Sequence, residues 1–258
     1  MRILVSNDDG IYSTGIRALV GSLVKEHEVY VVAPDRERSA TGHSLTLHRP
    51  LRIETVDHLK DVKEAYETDG TPSDCIKIAI CGILSKDKHP DLVISGINHG
   101  PNMGTDVLYS GTVSGAMEGA IFNIPSIAVS LANHKPEDFD TAVKVVQKVI
   151  RVIDKIKFPD RTLLNINIPY LPLSEIVGIE ITELGIRPYN DYFEKRTDPR
   201  GRTYYWLAGE AIKEEDEKPG TDVFAIRNNQ ISITPVTIHI TNTGMMPKLK
   251  DWVKDIKL

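Results

Sequence analysis

The sequence predicts a three-layer α/β/α domain built on a mainly parallel sheet, followed by a projecting β-hairpin, a returning strand and a short tail helix. Three observations lead there. Over roughly the first 170 residues, short apolar runs alternate with amphipathic helical stretches, as in chained strand–helix–strand units. The first run, Arg2–Ser6, stops on Asn7-Asp8-Asp9-Gly10, so two carboxylates stand at the carboxyl end of a buried strand, where open α/β sheets hold their ligands. In the last third of the chain the alternation gives way to aromatic-rich strand patterns. The expected organisation is a core over residues 1–185 and an extension over 186–258.

Taken in order, Arg2–Ser6 leads through the acidic turn to Thr14–Lys25, where Ile16, Leu19, Val20 and Leu23 recur at helical spacing. Glu28–Ala33 is the next strand, parallel to the first through a right-handed crossover. Asp35–His48 is polar and reads as a long loop over the carboxyl edge. Leu51–Val56 and Ala65–Thr68 are short strand candidates that can form a hairpin. Thr71-Pro72-Ser73-Asp74 is a helix start, with Thr as N-cap, Pro in the first turn and an acid behind it; the helix should run to about Leu84. Asp91–Ser95 is a strand, and Ser110–Phe122 a helix whose small residues permit close packing on the sheet. Ser126–Ser130 is a strand, Phe139–Ile156 a long amphipathic helix, and Leu163–Ile168 a further strand. Asn190–Arg196 and Thr203–Glu210 flank the turn Asp198-Pro199-Arg200-Gly201 as a hairpin. It either folds back on its own core or embraces a second subunit, since a lone hairpin is marginally stable. Lys213–Gly220 reads as a charged loop, Ile231–Ile240 as a strand and Met246–Ile256 as a helix.

The bulk composition excludes several classes. Hydrophobic residues make up 41% and charged residues 26% of the 258, ordinary for a globular protein. A net charge of −5 gives no basic footprint for a nucleic-acid polymer. Cys75 and Cys81 form neither a disulfide framework nor a zinc pattern, which fits a reducing, cytoplasmic setting. No apolar run reaches membrane-spanning length, and the opening strand leaves no room for a signal peptide.

Four segments carry chemistry, all expected at the same sheet edge. Asp8 and Asp9 repel one another unless a cation lies between them, and hard divalent ions prefer such oxygen ligands; a turn with a helix cap is the plainer alternative. Ser39, in the loop after the second strand, offers a neutral hydroxyl, and His43 in the same loop is either a proton donor or structural. The loop Ser95–Gly104 contributes Asn98, His99 and Asn102, with glycines that let backbone approach a ligand. Ser110, Gly111 and Thr112 open a helix whose free N–H groups and dipole suit a phosphate, although any helix can carry such a cap. Neither a Walker motif nor a GxGxxG follows the first strand.

The segments VSNDDGI (5–11), APDRERSATGHSLTL (33–47), TDGTPSDC (68–75), SGINHGPNMGTDVLYSGTVSGAMEGA (95–120) and TDVFAIRNNQISITP (221–235) resemble the SurE family of stationary-phase survival nucleotidases, in order and across nearly the whole chain. The resemblance implies a Rossmann-like domain whose C-terminal hairpin and tail build a homodimer or homotetramer. It also implies a divalent-metal-dependent phosphomonoesterase for nucleoside 5′- and 3′-monophosphates, with one Mg²⁺ or Mn²⁺ per subunit. The metal ligands it implies are Asp8, Asp9, Ser39 and Asn98; Asn102, Ser110, Gly111 and Thr112 map to the phosphate region, and His43 and His99 remain as proton donors. Direct water attack, with Asp8 or Asp9 taking the proton, is expected rather than an aspartyl-phosphate, whose acids usually stand two residues apart. Trimming of short polyphosphate and a non-catalytic nucleotide-binding stress module are the alternative functions.

Overall fold

The computed structural model describes residues 1–209 and 218–256. Its strands and helices, in chain order, are β1 (Arg2–Ser6), α1 (Thr14–Leu23), β2 (Glu28–Pro34), β3 (Ile53–Thr55), β4 (Glu64–Thr68), α2 (Pro72–Ile78), β5 (Leu92–His99), α3 (Gly111–Ile121), β6 (Ser126–Leu131), α4 (Asp140–Ile150), β7 (Thr162–Ile168), β8 (Gly178–Ile181), β9 (Tyr192–Thr197), β10 (Thr203–Ala208), α5 (Asp222–Arg227), β11 (Gln230–Thr237) and α6 (Met246–Trp252). Nine strands form one sheet in the order β3-β4-β2-β1-β5-β6-β7-β11-β8. The run from β4 to β7 is parallel throughout, as the predicted crossovers require, and β3 and β11 join it antiparallel.

From β1 the chain moves outward to β2 and β4, then returns across the sheet to β5 and continues outward on the other side. The gap between β1 and β5 is therefore the topological switch point, where the loops on either side part and leave a crevice. The acid pair follows β1, and Asn98 and His99 close β5.

Both faces of the sheet are covered. On one face β1, β2, β5 and β6 pack Ile3, Val5, Val31 and Ile94 against Ile16 and Leu19 of α1 and Val145 and Val146 of α4. On the other, Leu4, Val32 and Val93 meet Cys75 and Ile76 of α2, and α3 lies beside α2 on β5 and β6. Both cysteines are free thiols, Cys75 buried and Cys81 exposed.

Several predicted boundaries shift. α2 begins as expected, with a complete capping box at Thr71 and Asp74, but continues past Ile78 as a π-helical turn over Ala79–Ile83. α4 ends at Ile150, and the predicted apolar face is carried on by a tighter 3₁₀ turn at Ile153–Lys155, with Ile153 still buried. The β-branched run Val149, Ile150, Val152, Ile153 weakens helix there. β11 stops at Thr237 because its partner β7 starts opposite, at Thr162. Asn229 and Ile233 turn their carbonyls toward the β8 side, so Pro235 aims its missing N–H the same way, where β8 has already ended. Two elements, β8 and α5, have no counterpart in the predicted pattern. The predicted loop falls outside the described residues over 213–217, as does Glu210 at the end of the predicted hairpin.

β9 and β10 form a hairpin that pairs only with itself, closed at Asp198, whose carboxylate accepts the N–H groups of Arg200 and Arg202. Tyr192, Phe193, Tyr205, Trp206 and Leu207 on it are exposed. Among the described residues no helix is long and apolar enough to cross a membrane.

Candidate active site

Asp8 follows β1 and is buried, 5% exposed. α3 reaches it from the face opposite α1: the Thr112 hydroxyl donates to Asp8 Oδ1. The approach is close enough that a Cβ on Gly111 would sit 2.7 Å from Asp8 Cβ and 2.9 Å from Oδ2. Asp8 O accepts the Arg38 N–H at 2.7 Å, so the loop after β2 is tied to the acidic turn. Asp9 Oδ2 accepts the His99 backbone N–H at 3.3 Å, and His99 Nδ1 lies 4.0 Å from Asp9 Oδ1. The two acids therefore fasten the ends of three segments: α3 through Thr112, the β2 loop through Arg38 and the end of β5 through His99.

Burial pushes both carboxyls up to about 6. For Asp8 the Thr112 hydroxyl opposes that rise and the neighbouring Asp9 adds to it; for Asp9 the His99 N–H opposes and Glu37 adds. Among the described residues neither acid is paired with Lys or Arg. A buried carboxylate needs an ion pair, hydrogen bonds or a metal; here Thr112 and the His99 N–H supply hydrogen bonds, and a bound cation would supply the missing counter-charge.

Two neutral oxygen donors lie next in the chain to residues bonded to it, Asn98 beside His99 and Ser39 beside Arg38. Asn98 donates through Nδ2 to Gly100 O at 2.8 Å, which leaves its amide oxygen for a cation. Register across β5 and β6 shifts between Ser95 and Asn98, opposite Ser130, so Asn98 sits just past an irregularity in the strand. Ser39 is the neighbour of Arg38; its exposed hydroxyl donates to Glu37 Oε1 at 2.7 Å. The set is two carboxylates plus neutral oxygens, and among the described residues no group of three or more His, Cys, Asp or Glu is placed to hold a metal. That donor chemistry fits a hard divalent ion and suits neither zinc nor copper.

The phosphate-region residues divide into two kinds. Ser110 caps α3, its hydroxyl accepting Val113 N–H at 3.0 Å, and Thr112 gives its hydroxyl to Asp8. What this helix end offers an anion is the first-turn N–H groups of Gly111 and Thr112, which have no acceptor within the helix; Ser110 N–H already donates to Asp106 O at 3.1 Å. Asn102 is locked into the fold: its N–H donates to Asn167 Oδ1, its Nδ2 to Ser130 Oγ, and its carbonyl accepts both Asn165 and Asn167.

The two histidines separate clearly. His99 packs on Phe139 and lies 3.4 Å from Thr14 Oγ1; burial lowers its pKa, with Glu37 and Asp8 opposing. His43 Nε2 instead meets Glu118 Oε2 at 2.7 Å, and Lys77 Nζ donates to the other oxygen at 2.6 Å. Burial pushes Glu118 up, but the bonds from His43 and Lys77 outweigh it and hold the carboxyl below its usual value. Glu118 lies six residues beyond Thr112, about 9 Å along the helix, so His43 is held away from the acids.

Sequence reasoning missed Glu118, the Thr112–Asp8 bond and the Asn165–Asn167 pair. Only the last left a signal, two Asn alternating with apolar residues in an otherwise buried strand.

Taken together, the fold and the site define the class: a doubly wound α/β protein with an acid pair and a helix N-terminus facing one another across its switch point. The model of the family described as Survival protein SurE matches residues 3–191. Proteins named 5′-nucleotidase SurE are similar along the whole chain: that of Thermosynechococcus vestitus is 50% identical, covering 100% of this chain and 98% of its own length, and that of Pelotomaculum thermopropionicum is 50% identical, covering 100% and 97%. Among solved structures, the SurE protein from Aquifex aeolicus superposes with a TM-score of 0.82 at 43% identity, covering 98% of this chain and 99% of the other. The chain belongs to the SurE family.

Proposed function

We propose that this chain is a 5′-nucleotidase: a divalent-metal-dependent phosphomonoesterase that hydrolyses nucleoside 5′-monophosphates, and 3′-monophosphates with them, to nucleoside and phosphate. The observation that carries the reading is the unneutralised pair of buried Asp8 and half-buried Asp9 set against the N-terminus of α3, in a family whose relatives bear that name.

Asp8, Asp9, Asn98 and Ser39 would hold one Mg²⁺ or Mn²⁺. When bound, such an ion supplies positive charge to the phosphoryl group and acidifies water. The chain supplies the rest. Thr112 fixes the orientation of Asp8, so one carboxylate is presented in a single pose. The N–H groups at Gly111 and Thr112 face the charge that develops on the non-bridging oxygens during in-line transfer. Asn102, immobilised from four directions, holds the loop backbone beside that region. Of the two candidate proton carriers, His99 would take the role; its position beside Asp9 supports that reading, while His43 is tied to Glu118. Self-association through the exposed hairpin and tail, and a cytoplasmic location, complete the reading.

Phosphate release from a panel of 5′- and 3′-monophosphates and short polyphosphate, with Mg²⁺, Mn²⁺ or chelator, tests it. Turnover of monophosphates should require metal and fall at least a hundredfold, roughly 2.7 kcal/mol in the barrier, in Asp8→Asn and Asp9→Asn, with the circular-dichroism spectrum retained. Chelator-insensitive turnover, or either variant near wild-type rate, would remove the site assignment. Nucleotide binding without release would instead favour the binding module.

A further inference from the structure

The loop between β5 and α3 runs from Gly100 to Ser110 and carries the Asn102 end of the site. Its fastening lies partly outside the parallel core. Asp222, the first residue of α5, is fully buried. Its Oδ2 accepts the Gly104 N–H at 2.8 Å, and its Oδ1 accepts the N–H groups of Gly185 and Val223, each at 2.9 Å. Gly104 has φ +52°, and a Cβ there would lie 2.7 Å from Gly185 O; the loop and the 183–187 segment are thus in backbone contact at the point the carboxylate bridges. Two residues on, Asp106 Oδ2 accepts Arg187 Nη1 at 2.5 Å and the Tyr189 hydroxyl at 2.6 Å. Tyr189 leads directly into the exposed hairpin at β9.

We propose that Asp222 is a positioning residue for the phosphate-side loop: its carboxylate joins Gly104 to Gly185 and so sets the loop from the root of the hairpin. The inference rests on the phosphomonoesterase reading for its kinetic consequence, though not for the clamp itself. Three N–H donors converge on one buried carboxylate, and only an acceptor on both oxygens satisfies them. An Asp222→Asn side chain can keep the two donors of Oδ1, but it then sets an NH₂ against the Gly104 N–H. That substitution is nearly isosteric and breaks one end of the bridge. The acids Asp8 and Asp9 sit on the β1 turn and Asn98 in the ladder with β6, so cation binding does not depend on this bridge. The clamp also gives the TDVFAIRNNQ segment a role: its Asp holds the catalytic loop, although it lies more than a hundred residues downstream.

The test compares wild type, Asp222→Asn and Gly104→Ala, the last pushing the same contact apart from the loop side. Ile231→Val, in the core against α4, serves as a stability control. Expected are a rise in KM carrying most of at least a tenfold loss in kcat/KM, Mn²⁺ affinity (measured with the ion alone) within threefold of wild type, and at least tenfold faster amide exchange in 100–109 with β1 and β5 unchanged. The control should lower Tm without moving KM. If both loop variants keep wild-type kcat/KM, or lose it with no change in loop exchange, the positioning role is wrong. If the wild type releases no phosphate, the phosphomonoesterase reading fails, and loop exchange alone still decides whether Asp222 holds the loop.

Discussion

At Asp8 and Asp9, burial and ionisation oppose each other. Both carboxyls are pushed from near 4 up to about 6 in the fold, so the folded state binds their protons more tightly than the unfolded chain does. Their contribution to stability is therefore complete below pH ~4 and is lost as pH rises through 6. In chelator-treated protein, the stability difference between Asp8→Asn and wild type should swing in favour of the variant as pH is raised from 4 to 7, by ~1–3 kcal/mol. Comparing the two proteins cancels other carboxyls that titrate the opposite way, such as Glu118 and Asp69. Denaturant titrations at the two pH values measure it; a wild type that gains on the variant as pH rises would show that the acids are already neutralised within the chain. Divalent ion added at pH 7 should restore the wild type alone, since the ion replaces the missing counter-charge.

At the scale of the element, α3 works because it lies against the sheet without side chains in between. Gly111, Gly115 and Gly119 fall on one face at helical spacing; added Cβ atoms would meet Asp8 at 2.7 Å, Ser95 Oγ at 2.8 Å and Ser126 Oγ at 2.5 Å. α1 offers the contrasting case. Gly21 in its interior has nothing within 4 Å of an added Cβ. Gly21→Ala should stabilise the protein by about 0.5–1 kcal/mol through helix propensity with activity unchanged. Gly111→Ala enjoys no such gain at the first helical position and must displace Asp8, so turnover should fall at least tenfold (about 1.4 kcal/mol). Thermal melts and phosphate release on the two variants separate them, and a fully active Gly111→Ala would mean that Asp8 need not stand where α3 holds it.

Across the whole molecule, the parallel core and the C-terminal third are interlocked. β11 enters the sheet between β7 and β8, Asp222 reaches the loop between β5 and α3, and the hairpin leaves from the same root. The hairpin exposes Phe193 and Trp206, 65% and 61% accessible, and α6 exposes Trp252. A two-stranded ribbon is marginally stable alone, and the proposed self-association would cover this exposed apolar surface. Wild type should sediment as a dimer or larger assembly, and Phe193→Ser combined with Trp206→Ser should shift it toward monomer with the core spectrum intact. A wild type that sediments as a monomer at micromolar concentration would count against the hairpin as the contact.

Much of this was legible from the chain because it depends on local pattern. Periodicity located the strands and helices of the core, the Thr71 and Ser110 caps followed from residue type, and Asp8, Asp9 and the α3 N-terminus stood out because each follows a strand or opens a helix; Asn98, expected in a loop past Ser95, instead lies in β5, which runs on to His99. Alternating strand and helix dictates parallel pairing, and parallel pairing sends every such loop to one edge. β8 and α5 were not legible: one is a short edge strand and the other a six-residue helix, and both are stabilised by what they pack on. Likewise, no spacing rule could assign the Thr112 hydroxyl to Asp8, His43 to Glu118 or Asp222 to Gly104, pairs separated by 104, 75 and 118 residues. The sequence by itself determined which segments come to the carboxyl edge of the sheet, since strand direction follows from connectivity. Only the tertiary structure decided which of their groups stay available to a ligand and which are used to hold one another, because a hydrogen-bond partner is chosen by distance in space and not by separation along the chain.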